Sequence, residues 1–244
     1  MTLPASLLPP AQLVPAPKVR AVMSVPRLGF MDMFFCALGI LPKFGIEVSK
    51  TTGAFWGQCM ERGMEQAIAE GCDYVLTLDY DSVFTERHLE QLLALAVHYN
   101  LDAVAPIQIG RRSEMPLFRL RASGADGEWM REVSRDTFSA DLVRAGSAHF
   151  GLTLIKASKL ASLPKPWFIG QPDEAGRWGE GRIDDDVNFW RGWEAAGNTL
   201  HIASRVAIGH AELKVLWPDC NLEALHQHPS EFWERRSAPE GAWT

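Results

Sequence analysis

The sequence predicts an α/β domain whose central sheet is mostly parallel, with helices on both faces. Short apolar runs typical of buried strands alternate with segments whose apolar residues recur every three or four positions, as on a helix face. From residue 19 to 109 the predicted order is β-α-β-α-β-α-β, which favours a parallel sheet. The 244 residues, 47% hydrophobic and 22% charged, suffice for one large core.

The elements of this region follow from local signals. The predicted strands are 19–25, 44–49, 73–78 and 103–109, and the predicted helices are 31–41, 56–70 and 86–100. Gly71 ends the second helix, because glycine readily takes the left-handed conformation found after helices. Thr85 caps the third, with Glu86 in its first turn.

The second half of the chain is less regular but still α/β. It predicts a strand at 147–155, a short helix at 156–163, a helix at 184–196 and a strand at 200–208. We therefore expect three parts: a flexible proline-rich leader at 1–18, a single domain at 19–213, and a tail at 214–244 that packs on the body.

Composition excludes several classes of protein. A formal net charge of −6 does not suit a protein that binds nucleic acid through its overall charge. No stretch reaches the roughly 18 apolar residues that a membrane helix needs, so no membrane span is expected. The four cysteines form no C-x-x-C pair, which argues against zinc. Cys36, Cys59 and Cys72 lie in apolar or helical context, as buried thiols do, so no disulfide framework is expected. A reducing, cytoplasmic location is expected.

The sharpest local signal is the sequence Asp79-Tyr80-Asp81, directly after the apolar run that ends at Leu78. Ligands of α/β sheets bind beyond the carboxyl ends of the strands. Two carboxylates one residue apart at such an end can hold a hard divalent cation, whose remaining ligands can be phosphate oxygens. The alternative is a solvated loop after a strand.

Two further signals lie near the end of the predicted domain. Asp184, Asp185 and Asp186 stand at a helix start, where acids complement the helix dipole. Three adjacent carboxylates repel one another, so one of them could also serve as a general base. His210 follows the last predicted strand; alone it would be read as structural, but beside a D-x-D it can complete a Mn²⁺ site.

Four segments in this order resemble the family-2-like glycosyltransferases of the GT-A fold, across residues 19 to about 213. The first is the strand and loop at 19–29, and the second is the helix at 56–70 running into GCDYVLTLDYD at 71–81. The third is GSAHFG at 146–151, and the fourth is DDVNF at 185–189 followed by Gly209 and His210. The resemblance implies a metal-dependent transferase of one compact Rossmann-like domain that uses a nucleotide-sugar donor, most plausibly a UDP-sugar.

The resemblance also implies roles for individual residues. Asp79 would contact the donor ribose or the metal, and Asp81 and His210 would ligate Mn²⁺ or Mg²⁺. Asp185 and Asp186 would form the acidic motif, with Asp186 as the base of an inverting reaction. The residues expected to contact the nucleotide or its diphosphate are Pro26, Arg27 and Arg62.

Two positions depart from the family pattern. Asp185 stands where glutamate is usual, and Asn188 replaces a common acid. The acceptor implied by the resemblance is a glycan or a modified nucleic acid.

Two other functions fit parts of the same sequence. VLTLDYDSV also fits the first motif of haloacid-dehalogenase-like phosphatases, with Asp79 as nucleophile, Asp81 as acid/base, and Asp185 and Asp186 as late metal ligands. That motif normally lies on the first core strand, whereas two β-α units precede it here.

A non-enzymatic sugar- or nucleic-acid-binding module is the other alternative. It would use some of the nine tryptophans as stacking platforms. A basic rim for a polyanion would come from Arg111, Arg112, Arg119 and Arg121, which can equally be the solvated residues of a hairpin.

Overall fold

The computed structural model describes residues 16–25, 29–110, 115–120, 133–179 and 181–243. Several predictions fall outside these residues: most of the leader at 1–18, Pro26 and Arg27, and the arginines at 111, 112 and 121.

The described residues form twelve strands and six α-helices. The strands are β1 (Val19–Ser24), β2 (Glu47–Thr51), β3 (Tyr74–Leu78), β4 (Ser82–Val83), β5 (Ala103–Ile107), β6 (Phe118–Leu120), β7 (Leu142–Ala148), β8 (Leu152–Lys156), β9 (Leu200–Ala207), β10 (Gly209–His210), β11 (Val215–Pro218) and β12 (Ala224–Gln227). The helices are α1 (Met31–Ile40), α2 (Trp56–Ala69), α3 (Glu86–His98), α4 (Ala157–Ala161), α5 (Asp185–Ala195) and α6 (Pro229–Arg235).

The central sheet has eight strands in the order β2-β1-β3-β8-β5-β9-β7-β6. It is mixed rather than mostly parallel. β1 pairs in parallel with β2 and β3, and β5 with β9. The pairs β3–β8, β5–β8, β7–β9 and β6–β7 are antiparallel. β1, β3, β5 and β9 nevertheless run in the same direction, so their carboxyl ends meet at one edge.

The mixed topology arises where the sequence predicted one strand at 147–155. The chain instead forms β7 and β8, separated by residues 149–151. The His149 ring accepts a hydrogen bond at Nδ1 from the Gly151 amide, at 2.9 Å, which stabilises this turn. The prediction of one strand is therefore wrong, because an apolar run does not reveal a break that a side chain bonded to the backbone creates.

Helices pack on both faces of the central sheet, so every residue of β3 is buried. Val75 points into a cluster with Met60 and Met64 of α2 and with the aromatic residues of α5. Leu76 and Leu78 point into a second cluster with Met33 of α1 and Leu89 and Leu92 of α3. Alternation of side chains along the strand thus supplies two cores from one segment.

The start of α3 is as predicted at Thr85. Its hydroxyl accepts from the His88 amide, and His88 Nδ1 accepts from the Thr85 amide, so the two residues form a capping box. Residues 79–85 therefore form a short connection between two fixed elements, β3 and α3, and this connection contains Asp79 and Asp81.

Residues 214–243 form the β11–β12 hairpin and α6. Trp217 Nε1 donates to Gln227 Oε1 at 2.9 Å, which ties the two strands together. None of the helices formed by the described residues combines the length and the apolar character needed to cross a membrane.

A glycine on α2 tests the packing of that helix on the sheet. A Cβ at Gly63 would overlap Val22 Cγ1 on β1. We expect Gly63→Ala to lower the free energy of unfolding by about 1–3 kcal/mol through overpacking. Gly192→Ala on α5 is the matched control: no atom lies within 4 Å of its added Cβ, so it should raise stability by about 0.4–1 kcal/mol. Urea unfolding of both variants measures this, and equal effects would contradict the packing.

Candidate functional site

A cavity of about 590 Å³ opens at the carboxyl edge of the sheet. Ionisable side chains line one part of the cavity, and mainly aromatic and apolar side chains line the rest. The charged and ionisable group comprises Asp79, Tyr80, Asp81, Arg119, His149, Asp184, Asp185, Asp186 and His210. The cavity therefore brings together the D-x-D, the acidic run and the histidine that the sequence singled out separately.

The turn after β3 fixes the two carboxylates of the D-x-D. The Ser82 amide donates to the Asp79 carbonyl at 3.3 Å, and the Asp81 carbonyl accepts from the Ala211 amide at 2.7 Å. Asp81 is only 2% exposed. A buried carboxylate of this kind needs a partner, since transfer of an unpaired charge from water is costly.

His210 is that partner, and a small second sheet brings it there. β4 and β10 pair antiparallel with His210 opposite Ser82 and Gly209 opposite Val83; we call this pair the β4–β10 ribbon. His210 Nε2 lies 3.3 Å from Asp81 Oδ2.

The other ring nitrogen of His210 lies 2.9 Å from the Ile109 carbonyl. Because a carbonyl only accepts, Nδ1 carries the hydrogen there, and Nε2 is left facing the carboxylate. Metal-bound histidines commonly donate their second nitrogen to a backbone carbonyl in this way.

Asp79 occupies a strongly acidic environment. Asp81, the Asp186 carboxylate and the Trp56 ring line the cavity with it. Burial, and next the negative charge of Asp81, raise the pKa of Asp79 to about 7, and Asp186 adds to this rise. Part of the side chain still lines the cavity, where a cation could reach it.

These residues fit a divalent cation by the chemistry of their donor atoms. Carboxylate oxygens with an imidazole nitrogen suit Mn²⁺ or a similar ion, and a cation would lower the electrostatic cost of placing Asp79 and Asp81 together. Within the described parts of the chain, however, no three or more His, Cys, Asp or Glu side chains are already grouped as a metal site. Asp79, Asp81 and His210 would need local adjustment to share one ion.

The three acids at the start of α5 face different surroundings. Asp184 forms an ion pair with Arg182, at 2.7 Å from Nε, and makes no side-chain cap bond to the helix. Burial raises the pKa of Asp185 and that of Asp186. A raised pKa brings a carboxylate closer to what a general base needs near neutral pH.

His149 lines the cavity but is already fully bonded. Its Nε2 lies 3.0 Å from the Pro106 carbonyl, and its Nδ1 accepts from Gly151. Burial lowers its pKa to about 4, so the ring is neutral and holds the turn between β7 and β8. The GSAHFG segment thus contributes shape rather than a ligand.

Two predicted contacts need comment. Arg62 does not line the cavity: its Nη2 donates to the Thr52 carbonyl at 2.8 Å, away from the D-x-D. The family resemblance alone could not show which way the Arg62 side chain points. Pro26 and Arg27 lie outside the described residues.

Sequence reasoning missed Trp56 as a residue of the site. It packs edge-on against Phe150 and Phe168, as a core residue does, and it also lines the cavity. The apolar periodicity of α2 could not show that this end of the helix borders the site. Arg119, expected on a basic rim or in a solvated hairpin, is exposed on β6 and lines the cavity.

Comparison with known proteins supports the fold. The sequence matches no protein-family profile and no curated protein significantly. The structure is similar to that of A197 from STIV, with a TM-score of 0.56 and 13% identity over 86% of this chain and 94% of that one. It is also similar to GalNAc-T7 in complex with UDP, GalNAc and Mn²⁺, with a TM-score of 0.50 and 12% identity.

The second match covers 80% of this chain but only 44% of GalNAc-T7. At these identities the likeness shows a GT-A-like fold: an α/β architecture with an eight-stranded mixed central sheet.

Asp79 and His149, the cavity residues whose pKa values shift most, make opposite contributions to the pH dependence of stability without metal. Between pH 4 and 6.5 the unfolded chain protonates His149 but the native state does not, so this group makes stability rise with pH. Between pH 3.8 and about 7 the native state protonates Asp79 but the unfolded chain does not, so this group makes stability fall with pH. The two contributions oppose each other, each with a maximum of about 1.4 kcal/mol per pH unit.

Asp79→Asn removes one of the two contributions. In chelator, its unfolding free energy should therefore fall more steeply on acidification from pH 6 to 5 than that of the wild type, by about 1 kcal/mol; partial solvent exposure reduces the full value. Asp141→Asn is the control, since Asp141 lies in an exposed ion pair with Arg205. Parallel curves for Asp79→Asn and wild type would contradict the assignment.

Proposed function

We propose that this protein is a metal-dependent glycosyltransferase that moves a sugar from a nucleotide-sugar donor, a UDP-sugar in the first instance, to an acceptor hydroxyl. The observation that carries the proposal is the meeting of Asp79, Asp81, His210 and the Asp185–Asp186 pair in one cavity at the carboxyl edge of the sheet. The similarity to a fold that in GalNAc-T7 was crystallised with UDP, GalNAc and Mn²⁺ supports it.

The donor side of the cavity follows from its charge. Asp81 and His210, with Asp79, would hold Mn²⁺ or Mg²⁺, and the chemistry such an ion supplies is neutralisation of the leaving diphosphate. A diphosphate alone would be repelled by these carboxylates. Trp56, Phe150 and Trp190 form an aromatic wall of the same cavity.

The acceptor side would use Asp186. Its carboxylate takes the proton of the acceptor hydroxyl while the oxygen bonds to the anomeric carbon of the sugar. The bond from that carbon to the diphosphate breaks in the same inverting step. The acceptor is proposed to be a glycan or a modified nucleic acid, and the reaction to take place in the cytoplasm.

The other two functions differ in what they predict. The structure keeps two β-α units ahead of β3, an order unlike that expected of a haloacid-dehalogenase-like phosphatase. Hydrolysis of a generic aryl phosphate dependent on Asp79 would favour the phosphatase. Tight sugar binding without transfer or hydrolysis would favour a binding module.

Donor binding is expected to depend on the cation. UDP should stabilise the protein only when Mn²⁺ or Mg²⁺ is present, because the acidic cavity repels the free diphosphate. At 100 times the dissociation constant the gain should be about 2.7 kcal/mol, measured by thermal or urea unfolding. Asp81→Ala and His210→Ala should abolish it while leaving the fold intact. Equal stabilisation in EDTA would contradict the metal site.

Asp184, Asp185 and Asp186 are expected to have different roles in transfer. Asp186→Asn keeps the shape of the side chain but removes its basicity, so single-turnover transfer at saturating donor should fall about 10²–10⁴-fold. Donor and metal affinity should stay within a few-fold of wild type. Asp184→Asn is the matched control, because its carboxylate pairs with Arg182 at the surface; it should transfer normally. An inactive Asp185→Asn beside an active Asp186→Asn would move the base by one residue.

A further inference from the structure

Gln108 is a buried amide that the proposed chemistry does not use. It follows β5 at the carboxyl edge of the sheet, is 1% exposed, and does not line the cavity. Its Nε2 donates to Ser82 Oγ and to the Gly209 carbonyl, each at 3.2 Å. Since a carbonyl only accepts, the Gly209 contact decides which end of the amide faces these partners.

The two partners of Gln108 lie on the two strands of the β4–β10 ribbon. Ser82 follows Asp81 directly, and Gly209 precedes His210. One amide therefore bridges both strands next to the two side chains proposed as metal ligands. The ribbon has only two residues on each strand, and such a short ladder is weak without support from its surroundings.

The backbone beside Gln108 adds to this support. The Ile109 carbonyl accepts from His210 Nδ1 at 2.9 Å, and the Gln108 carbonyl accepts from the Leu117 amide at 2.9 Å. Space is equally restricted: a Cβ at Gly151 would overlap Ser82 Oγ and lie 2.9 Å from Gln108 Oε1. Segment 108–109 thus restrains the ribbon through a side chain and a carbonyl.

We propose that Gln108 is a positioning residue for the cation site, which rests on the function proposed above. Its amide restrains the β4–β10 ribbon so that His210 Nε2 and the Asp81 carboxylate keep a short, fixed separation. A cation then finds two ligands already placed. Residues that orient ligands in this way typically contribute about 10–100-fold to metal affinity.

The test substitution is Gln108→Met, which keeps the length of the side chain and removes both hydrogen bonds. The matched control is Tyr74→Phe. The Tyr74 hydroxyl is also a buried donor shared by two carbonyls, those of Ala96 and Leu101, at 3.2 and 3.3 Å, but it lies at the amino end of β3. Both variants lose comparable buried bonds, and only one touches the ribbon.

Two measurements are made on wild type and both variants. The first is amide hydrogen exchange at Ala211, whose N–H bonds to the Asp81 carbonyl, without metal. The second is Mn²⁺ binding without nucleotide, from the electron paramagnetic resonance signal of the free ion. We expect Gln108→Met to speed exchange by about 10-fold, the scale of one lost hydrogen bond, and to weaken Mn²⁺ binding about 10–100-fold. Tyr74→Phe should change the exchange rate and the Mn²⁺ affinity by no more than about two-fold, because distant sites are nearly independent.

The outcomes separate this inference from the proposed function. Unchanged exchange in Gln108→Met overturns the positioning role, whatever happens to Mn²⁺. Faster exchange with unchanged Mn²⁺ affinity also overturns it, because the ribbon then does not set the ligands. A wild type that binds no Mn²⁺ overturns the cation site and with it the role of Gln108 toward that site, while the exchange rates still decide whether Gln108 restrains the ribbon.

Discussion

The pairing of β4 with β10 is the constraint on which the site depends. Asp81 and His210 are far apart in sequence, and this two-residue ladder brings them within 3.3 Å. The ladder in turn depends on the ends of β3, β5 and β9 meeting at one edge of the sheet. A change in that sheet order would leave both side chains intact and remove the site, which is why the fold and the chemistry cannot be considered separately.

The electrostatics of the cavity explain why a cation belongs to the proposal. Several carboxylates line one cavity, and the pKa of Asp79 rises to about 7 because burial and the charge of Asp81 both oppose its ionisation. The native state without metal therefore holds a proton where a metal-loaded state would hold a cation. A bound cation would reduce the repulsion between these carboxylates, so it would both stabilise the fold and favour the ionised form of Asp79.

Much of the fold could be predicted from sequence because its signals are local. The helix at 56–70 and the cap at Thr85 follow from periodicity and hydrogen-bonding groups within a few residues, and both were confirmed. The break at His149 is held in part by the distant Pro106 carbonyl, and the mixed sheet depends on pairing between strands far apart in sequence, so the prediction of one strand at 147–155 was wrong. The D-x-D and His210 were found as separate motifs, but the place of Trp56 in the cavity wall and the contact of Arg62 with the Thr52 carbonyl required the fold.

The two acids proposed for the role of base have different surroundings. Asp185 lies against α2: its Oδ2 is 2.8 Å from the position that a Cβ at Gly57 would occupy, so the absent side chain at Gly57 makes room for it. Asp186 lines the cavity with Asp79, and its charge adds to the rise in the pKa of Asp79. A base must share space with the metal-bound donor and the acceptor. We therefore propose Asp186 for proton transfer and assign Asp185 to the fit between α5 and α2.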